Sequence, residues 1–212
     1  MTVPLDVNGA SLWKTYLDRV AQAELVADLR ELARAAPFRS YETPGGRQMS
    51  VRMSGAGAMA WTSDRAGYRY SAVQANGADW PDIPERLLDI WRAISGVDVL
   101  PDSCLVNYYG ERAKMGLHQD RDEADTRWPV VSISLGDDAQ FRIGGPSRRD
   151  PTKSVWLESG DIIVLTGPSR LSYHGIDRIK FGSSALLERG GRINVTLRVA
   201  GSAALAASEP AQ

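Results

Sequence analysis

The stretch "RINVTLR", Arg192 to Arg198, has two possible placements, and they imply different folds. Read as a strand, it puts Arg192, Asn194, Thr196 and Arg198 on one side and Ile193, Val195 and Leu197 on the other. An edge strand with its polar side in water is the commoner use of such a pattern. Inside a β-core, two guanidiniums would keep their charge, and burying them is costly unless anions meet them. A small dicarboxylic acid would serve. "CLVNYYG" offers a complementary surface, because Asn107 and Tyr109 share a strand face and can donate an amide N–H and a phenolic O–H to the same anion. Taken alone, this Asn-x-Tyr pair reads as structural.

The surrounding sequence favours a β-core. "SCLVNYYG", "WPVVSISLG", "AQFRIGG", "SVWLESGDIIVLTG" and "GRINVTLRVA" are short strand candidates separated by glycine, proline and acidic turn residues, spaced as in a sandwich or barrel. "FRSYETPGGRQMSVRMSG" carries a Pro-Gly-Gly turn between two extended runs and predicts a hairpin. Two helices are predicted, in "AQAELVADLRELARAAP" and "PDIPERLLDIWRAISG". The expected fold is mainly β with flanking helices. The first twenty residues carry no readable signal, and "GSAALAASEPAQ", 201–212, is expected to be a mobile tail.

A chain of 212 residues, 43% hydrophobic, can bury a sizeable core, and a single domain is expected. The net charge of −1 supplies no global basic field, so any nucleic-acid partner must be held by a local patch. The single Cys104 cannot form an internal disulfide, and the start lacks a secretory signal pattern, so the expected location is the cytoplasm. No apolar run approaches the roughly 20 residues that cross a bilayer, and no membrane role is expected.

Only two histidines occur, His118 and His174. In "HQDRD" an extended chain projects His118 and Asp120 to the same side. Two ligands are too few for a tight site, which directs attention to His174, just after the apolar strand "GDIIVLTG". Two histidines and a carboxylate leave about three positions open on a metal, the arrangement of non-haem Fe(II) oxygenases. A His-x-Asp pair by itself is more often surface decoration.

Taken together, His118-x-Asp120, His174, Arg192-x-Asn194-x-Thr196-x-Arg198 and Asn107-x-Tyr109 resemble the AlkB family of Fe(II)/α-ketoglutarate-dependent nucleic-acid demethylases. The likeness runs from about Pro37 to Val199 and includes "TPGGRQMSV", "WTSDRAGYRYS" and "SRLSYHGI". It implies a double-stranded β-helix, or jelly roll, with an added N-terminal nucleotide-recognition hairpin region. The single domain would span 1–200, with recognition region and supporting helix near 37–95 and catalytic core near 100–200. Iron would be held by His118, Asp120 and His174, with 2-oxoglutarate (α-ketoglutarate) and dioxygen as cosubstrates. Arg192 would pair with the distal carboxylate, helped by Tyr109 and Asn194. Arg198 and Asn107 would secure the iron-chelating end, and Thr196 would line the pocket. Tyr108 and the Met115-Gly116 step depart from the family pattern; alternation points Tyr108 away from the cosubstrate.

The resemblance further implies removal of N-methyl groups from bases, with release of formaldehyde, succinate and carbon dioxide. A methylated Watson–Crick edge is inaccessible in a duplex, so the substrate is single-stranded DNA or RNA, or a duplex with a flipped base. Trp61 would stack on the base opposite His118, and Tyr68 and Tyr70 would reach the base or its phosphate. Asp122 would sit at the base edge and favour cationic lesions such as 1-methyladenine and 3-methylcytosine. Arg148 would contact phosphate, ahead of Arg149, and a shallow salt dependence is expected. Glu123 and Asp125 read as solvated loop charges. A monomer is expected. The competing readings are a protein or small-molecule hydroxylase with the same iron and cosubstrate, a non-catalytic nucleic-acid reader, and a cupin-like metal protein, the last leaving Arg192 and Arg198 unexplained.

Overall fold

The computed structural model describes residues 3–201. In chain order the elements are β1 (Leu5–Val7), β2 (Ala10–Trp13), α1 (Arg19–Ala35), β3 (Arg39–Glu42), β4 (Gln48–Gly57), β5 (Ala60–Asp64) and β6 (Gly67–Ser71). There follow α2 (Glu85–Ile94), β7 (Ser103–Tyr109), β8 (Met115–His118), β9 (Val130–Gly136), β10 (Asp138–Ile143), β11 (Lys153–Leu157), β12 (Ile162–Leu165), β13 (His174–Lys180) and β14 (Arg192–Arg198). An eight-stranded sheet in the order β1-β2-β12-β9-β14-β7-β4-β3 faces a four-stranded sheet in the order β11-β10-β13-β8. This is the jelly-roll sandwich expected from the sequence. The β5–β6 hairpin forms its own two-stranded sheet.

Both predicted helices are present. Asp18 caps α1 by accepting from the Ala21 backbone N–H at 2.8 Å, and the helix stops just short of Pro37. Leu25, Val26, Leu29 and Leu32 of α1 pack, with Leu87 and Trp91 of α2, against Val106, Ile133, Val195 and Leu197 of the large sheet. The opposite face of that sheet closes a second core with Phe141, Ile143, Leu157 and Ile176. The "unreadable" first twenty residues supply β1 and β2, which extend the large sheet by pairing β2 with β12. These runs of three and four residues are too short to show a period. Of the expected tail, residues 202–212 lie outside the described residues. Gly201 is buried and donates its backbone N–H to Asp102 Oδ2 at 3.1 Å.

The first question about β14 is answered by its neighbours. It lies between β7 and β9, fully paired on both edges, so it is a central strand. Its apolar side meets the helices and its polar side faces the sandwich interior; Arg192 is 0% exposed and Arg198 6%. The entry into this strand is held by Asp137, whose buried carboxylate accepts from the backbone N–H groups of Gly182, Ser184 and Gly191 at 2.7–2.9 Å. Gly136, opposite Arg192, has φ +87°, and a Cβ there would meet the Gly191 carbonyl oxygen at 2.5 Å. Because three charge-assisted contacts are lost together, Asp137→Ala is expected to cost about 3 kcal/mol or more in denaturant unfolding. A loss under about 1 kcal/mol would show that the loop is held by other means.

Candidate metal and cosubstrate site

β13 and β8 pair so that His174 lies directly opposite His118, and their ring centroids are 4.5 Å apart. Asp120 lies two residues past the end of β8, in an irregular loop. One donor atom from each of His118, Asp120 and His174 falls within 4.8 Å of the others. The Asp120 carboxylate reaches both imidazoles, at 3.7 Å from His118 Nε2 and 3.8 Å from His174 Nε2. The far nitrogens are fixed by carbonyls: His118 Nδ1 lies 3.0 Å from Gly116 O and His174 Nδ1 2.9 Å from Ser172 O. A carbonyl only accepts, so each Nδ1 carries the proton and each Nε2 lone pair points toward the carboxylate.

Charge at the site favours a cation. Burial opposes ionisation of Asp120, but Arg198 and the two imidazoles outweigh it and hold the carboxyl well below its usual range. Burial, reinforced by His118, lowers His174 to about 4, so its imidazole is neutral at pH 7 and free to coordinate. Two imidazoles and a carboxylate suit Fe(II), and would leave positions open for a bidentate cosubstrate and dioxygen.

These ligands open into a cavity of about 410 Å³ between the two sheets. Asn107, Tyr109, Arg192, Asn194, Thr196 and Arg198 all line it. Arg192 carries the decisive mismatch. Its Nη2 donates to Ser134 Oγ at 2.7 Å, while Nε and Nη1 are buried with no hydrogen-bond partner among the described residues. Burial lowers Arg192 only to about 10, so it remains charged at pH 7. Burial also raises Tyr109, whose hydroxyl therefore stays a donor; the recorded contact of that hydroxyl is the Met115 thioether at 3.7 Å, a weak acceptor. A buried cation and a buried donor without a strong acceptor fit the far carboxylate of 2-oxoglutarate. Arg198 instead lies at the metal end, 2.9 Å from Asp120 Oδ2.

The sequence pattern of the 2OG-Fe(II) oxygenase superfamily matches residues 9–198, which contain this entire constellation. The α-ketoglutarate-dependent dioxygenase AlkB homolog of Caulobacter vibrioides (strain NA1000 / CB15N) is 54% identical over 193 residues, 91% of this chain and 88% of that protein. The chain belongs to the AlkB family. The Escherichia coli (strain K12) α-ketoglutarate-dependent dioxygenase AlkB is 41% identical over 198 residues, covering 91% of each chain. Among solved structures, OsALKBH1 superposes with a TM-score of 0.75 at 32% identity, over 92% of this chain and 97% of that one. The chain is therefore a dioxygenase that uses Fe(II), 2-oxoglutarate and dioxygen.

At the mouth of this AlkB-family pocket, Trp61 and Tyr68 stack with centroids 5.4 Å apart, and the Trp61 indole N–H donates to Asp122 Oδ2 at 2.9 Å. Arg148 lines the same rim, donating to the Leu117 carbonyl at 2.9 Å with its guanidinium 5.7 Å from the Tyr173 ring centroid. Two expectations need correction. Tyr70 does not line the cavity; its hydroxyl donates to Glu123 Oε1 at 2.9 Å. Glu123 is not a solvated loop charge, since its side chain is 1% exposed and pairs with both Arg170 and Arg198. The loop after Asp120 turns inward and buries Glu123 against Arg170 and Arg198, and that buried carboxylate holds the Tyr70 hydroxyl away from the cavity. Met53, Met115, Gln119, Ser132 and Tyr173 also line the cavity, and none of them was marked as a site residue by the sequence patterns. Met115 could have been found only by knowing the bulge in β8, where two residues, Gly116 and Leu117, oppose the single Gly175 of β13 and so turn Met115 and His118 to one face. Tyr108 points outward as expected, packing on Phe38.

Proposed function

We propose that this AlkB-family dioxygenase reverses alkylation damage by oxidative demethylation of nucleic-acid bases, acting by preference on cationic lesions such as 1-methyladenine and 3-methylcytosine. The observation that carries the finer reading is the exposed Asp122 carboxylate at the pocket mouth, tied to the indole of the stacked Trp61–Tyr68 pair. An aromatic face beside a carboxylate suits a flat, positively charged base. When bound, Fe(II) and 2-oxoglutarate supply the oxidation: dioxygen is consumed, 2-oxoglutarate leaves as succinate and carbon dioxide, and the methyl carbon leaves as formaldehyde. The chain's residues do the positioning. Arg192 and Tyr109 orient the cosubstrate from its far end, Arg198 steadies Asp120, and the apolar walls from Leu157, Ile163 and Leu165 exclude water. Arg148 and the exposed Arg121, which lines the same pocket, offer a small basic rim for the phosphates of a single strand or of a flipped nucleotide.

The test uses anaerobically purified protein with Fe(II), 2-oxoglutarate, ascorbate and an oligonucleotide carrying 3-methylcytosine. Succinate and formaldehyde are measured after admission of air and should appear in equal amounts. Succinate without demethylation would instead indicate a hydroxylase of some other substrate. Asp122→Asn should lower kcat/KM about tenfold on 3-methylcytosine, the loss of a charge-assisted contact of about 1.5 kcal/mol, and much less on the uncharged 3-methylthymine. Equal losses on the two bases would remove Asp122 from charge selection.

A further inference from the structure

We propose that Arg170 is a positioning residue: its single buried guanidinium clamps the loop that carries Asp120 to the segment that carries His174, and so sets the affinity of the site for its divalent ion. The inference rests on the assignment of His118, Asp120 and His174 as the metal ligands.

The need for a clamp follows from where Asp120 lies. His118 and His174 sit on paired strands, whose ladder fixes them. Asp120 belongs to residues 119–129, which contain neither helix nor strand, so no ladder holds this ligand in place. Arg170 supplies that restraint. It caps the 3-10 turn Gly167–Ser169, four residues before His174, and is 4% exposed. Nη1 donates to the Asp120 carbonyl at 2.5 Å, Nε donates to the Trp128 carbonyl at 2.6 Å, and Nη2 lies 3.2 Å from Glu123 Oε2. One side chain thus holds three points of the loop from the neighbouring ligand segment. Gln119 braces the same pair in reverse, its amide donating to the Leu171 carbonyl at 2.6 Å.

Shape and charge both matter here. A planar guanidinium presents five N–H donors in a fixed fork, whereas a lysine ammonium at the same place is a point charge that cannot span three separated acceptors. Glu123 also pairs with Arg198, which in turn holds the Asp120 carboxylate. Two cations and two anions therefore close a buried ring around the ligand. With Arg170 gone, the carbonyls of Asp120 and Trp128 lose their donor and the loop is free to move relative to His174.

The experiment titrates Co(II), as a spectroscopic probe, into metal-free parent, Arg170→Lys, Arg170→Gln and His174→Ala proteins, following the cobalt d–d bands, with unfolding of the metal-free forms measured in parallel. Expected is a 10- to 100-fold weakening of Co(II) binding in both Arg170 variants, with altered bands. Lysine should rescue little, because it restores the charge without the three contacts. Parent-like affinity and bands in either folded variant, or full rescue by lysine, would overturn the proposal. Should Arg170→Gln fail to fold, Arg170→Lys decides alone. A parent that binds no Co(II), or a His174→Ala protein that binds it as the parent does, would overturn the ligand assignment instead.

Discussion

His174→Ala is expected to bring iron-dependent turnover to background while leaving the fold intact. The imidazole contributes one of three protein donors, and the two that remain, His118 Nε2 and the Asp120 carboxylate, sit on a strand end and a loop. Residues that act only through a ligand already cost 10- to 100-fold in metal affinity, so removal of a ligand itself should exceed roughly 100-fold. The structural cost is small by comparison. His174 touches Phe141, with ring centroids 5.9 Å apart, and the strand it occupies keeps its backbone pairing with β10. Metal content after dialysis against Fe(II), succinate release and denaturant unfolding measured on the same preparation separate the two effects. Normal demethylation by the folded variant would show that the iron lies elsewhere.

The parts of the site that were legible from the sequence are those carried by regular strands. Period-two alternation placed Asn107 and Tyr109 on one face of β7, and Arg192, Asn194, Thr196 and Arg198 on one face of β14, and all six line the cavity. The composition of that face also carried information: two arginines on a strand with an apolar reverse side made burial a chemical question about anions. Alternation could not say whether β14 was central or at an edge, since that depends on pairing with β7 and β9, strands distant in the chain. Legibility failed where the chain left the strands. Glu123 follows Asp122 in a run of loop acids, and nothing local distinguishes the exposed carboxylate from the buried one. The distinction comes from Arg170 and Arg198, 47 and 75 residues further along, which make burial of Glu123 affordable. Tyr70 was misplaced for the same reason, because its partner is that buried carboxylate.

Arg192 carries the second large effect, and it acts in opposite directions on binding and on stability. Its guanidinium is fully buried, still charged at pH 7, and meets one serine hydroxyl and no carboxylate among the described residues. An unmatched buried charge costs stability in the ligand-free protein, and a dicarboxylate that supplies the missing anion recovers that cost on binding. Arg192→Ala should therefore raise the 2-oxoglutarate KM roughly 10- to 100-fold, from a charge-assisted contact of about 1.5 to 3 kcal/mol. kcat should change less, because the far carboxylate is held equally before and during the reaction. Arg192→Met, which fills more of the space, should leave the ligand-free protein at least as stable as the parent in denaturant, while the stabilisation gained on adding 2-oxoglutarate shrinks. Both arms are needed, since loss of binding alone could come from a collapsed pocket, whereas loss of binding without loss of stability could not. Parent-like cosubstrate affinity in both variants would remove Arg192 from the cosubstrate site and leave its burial without a physical reason.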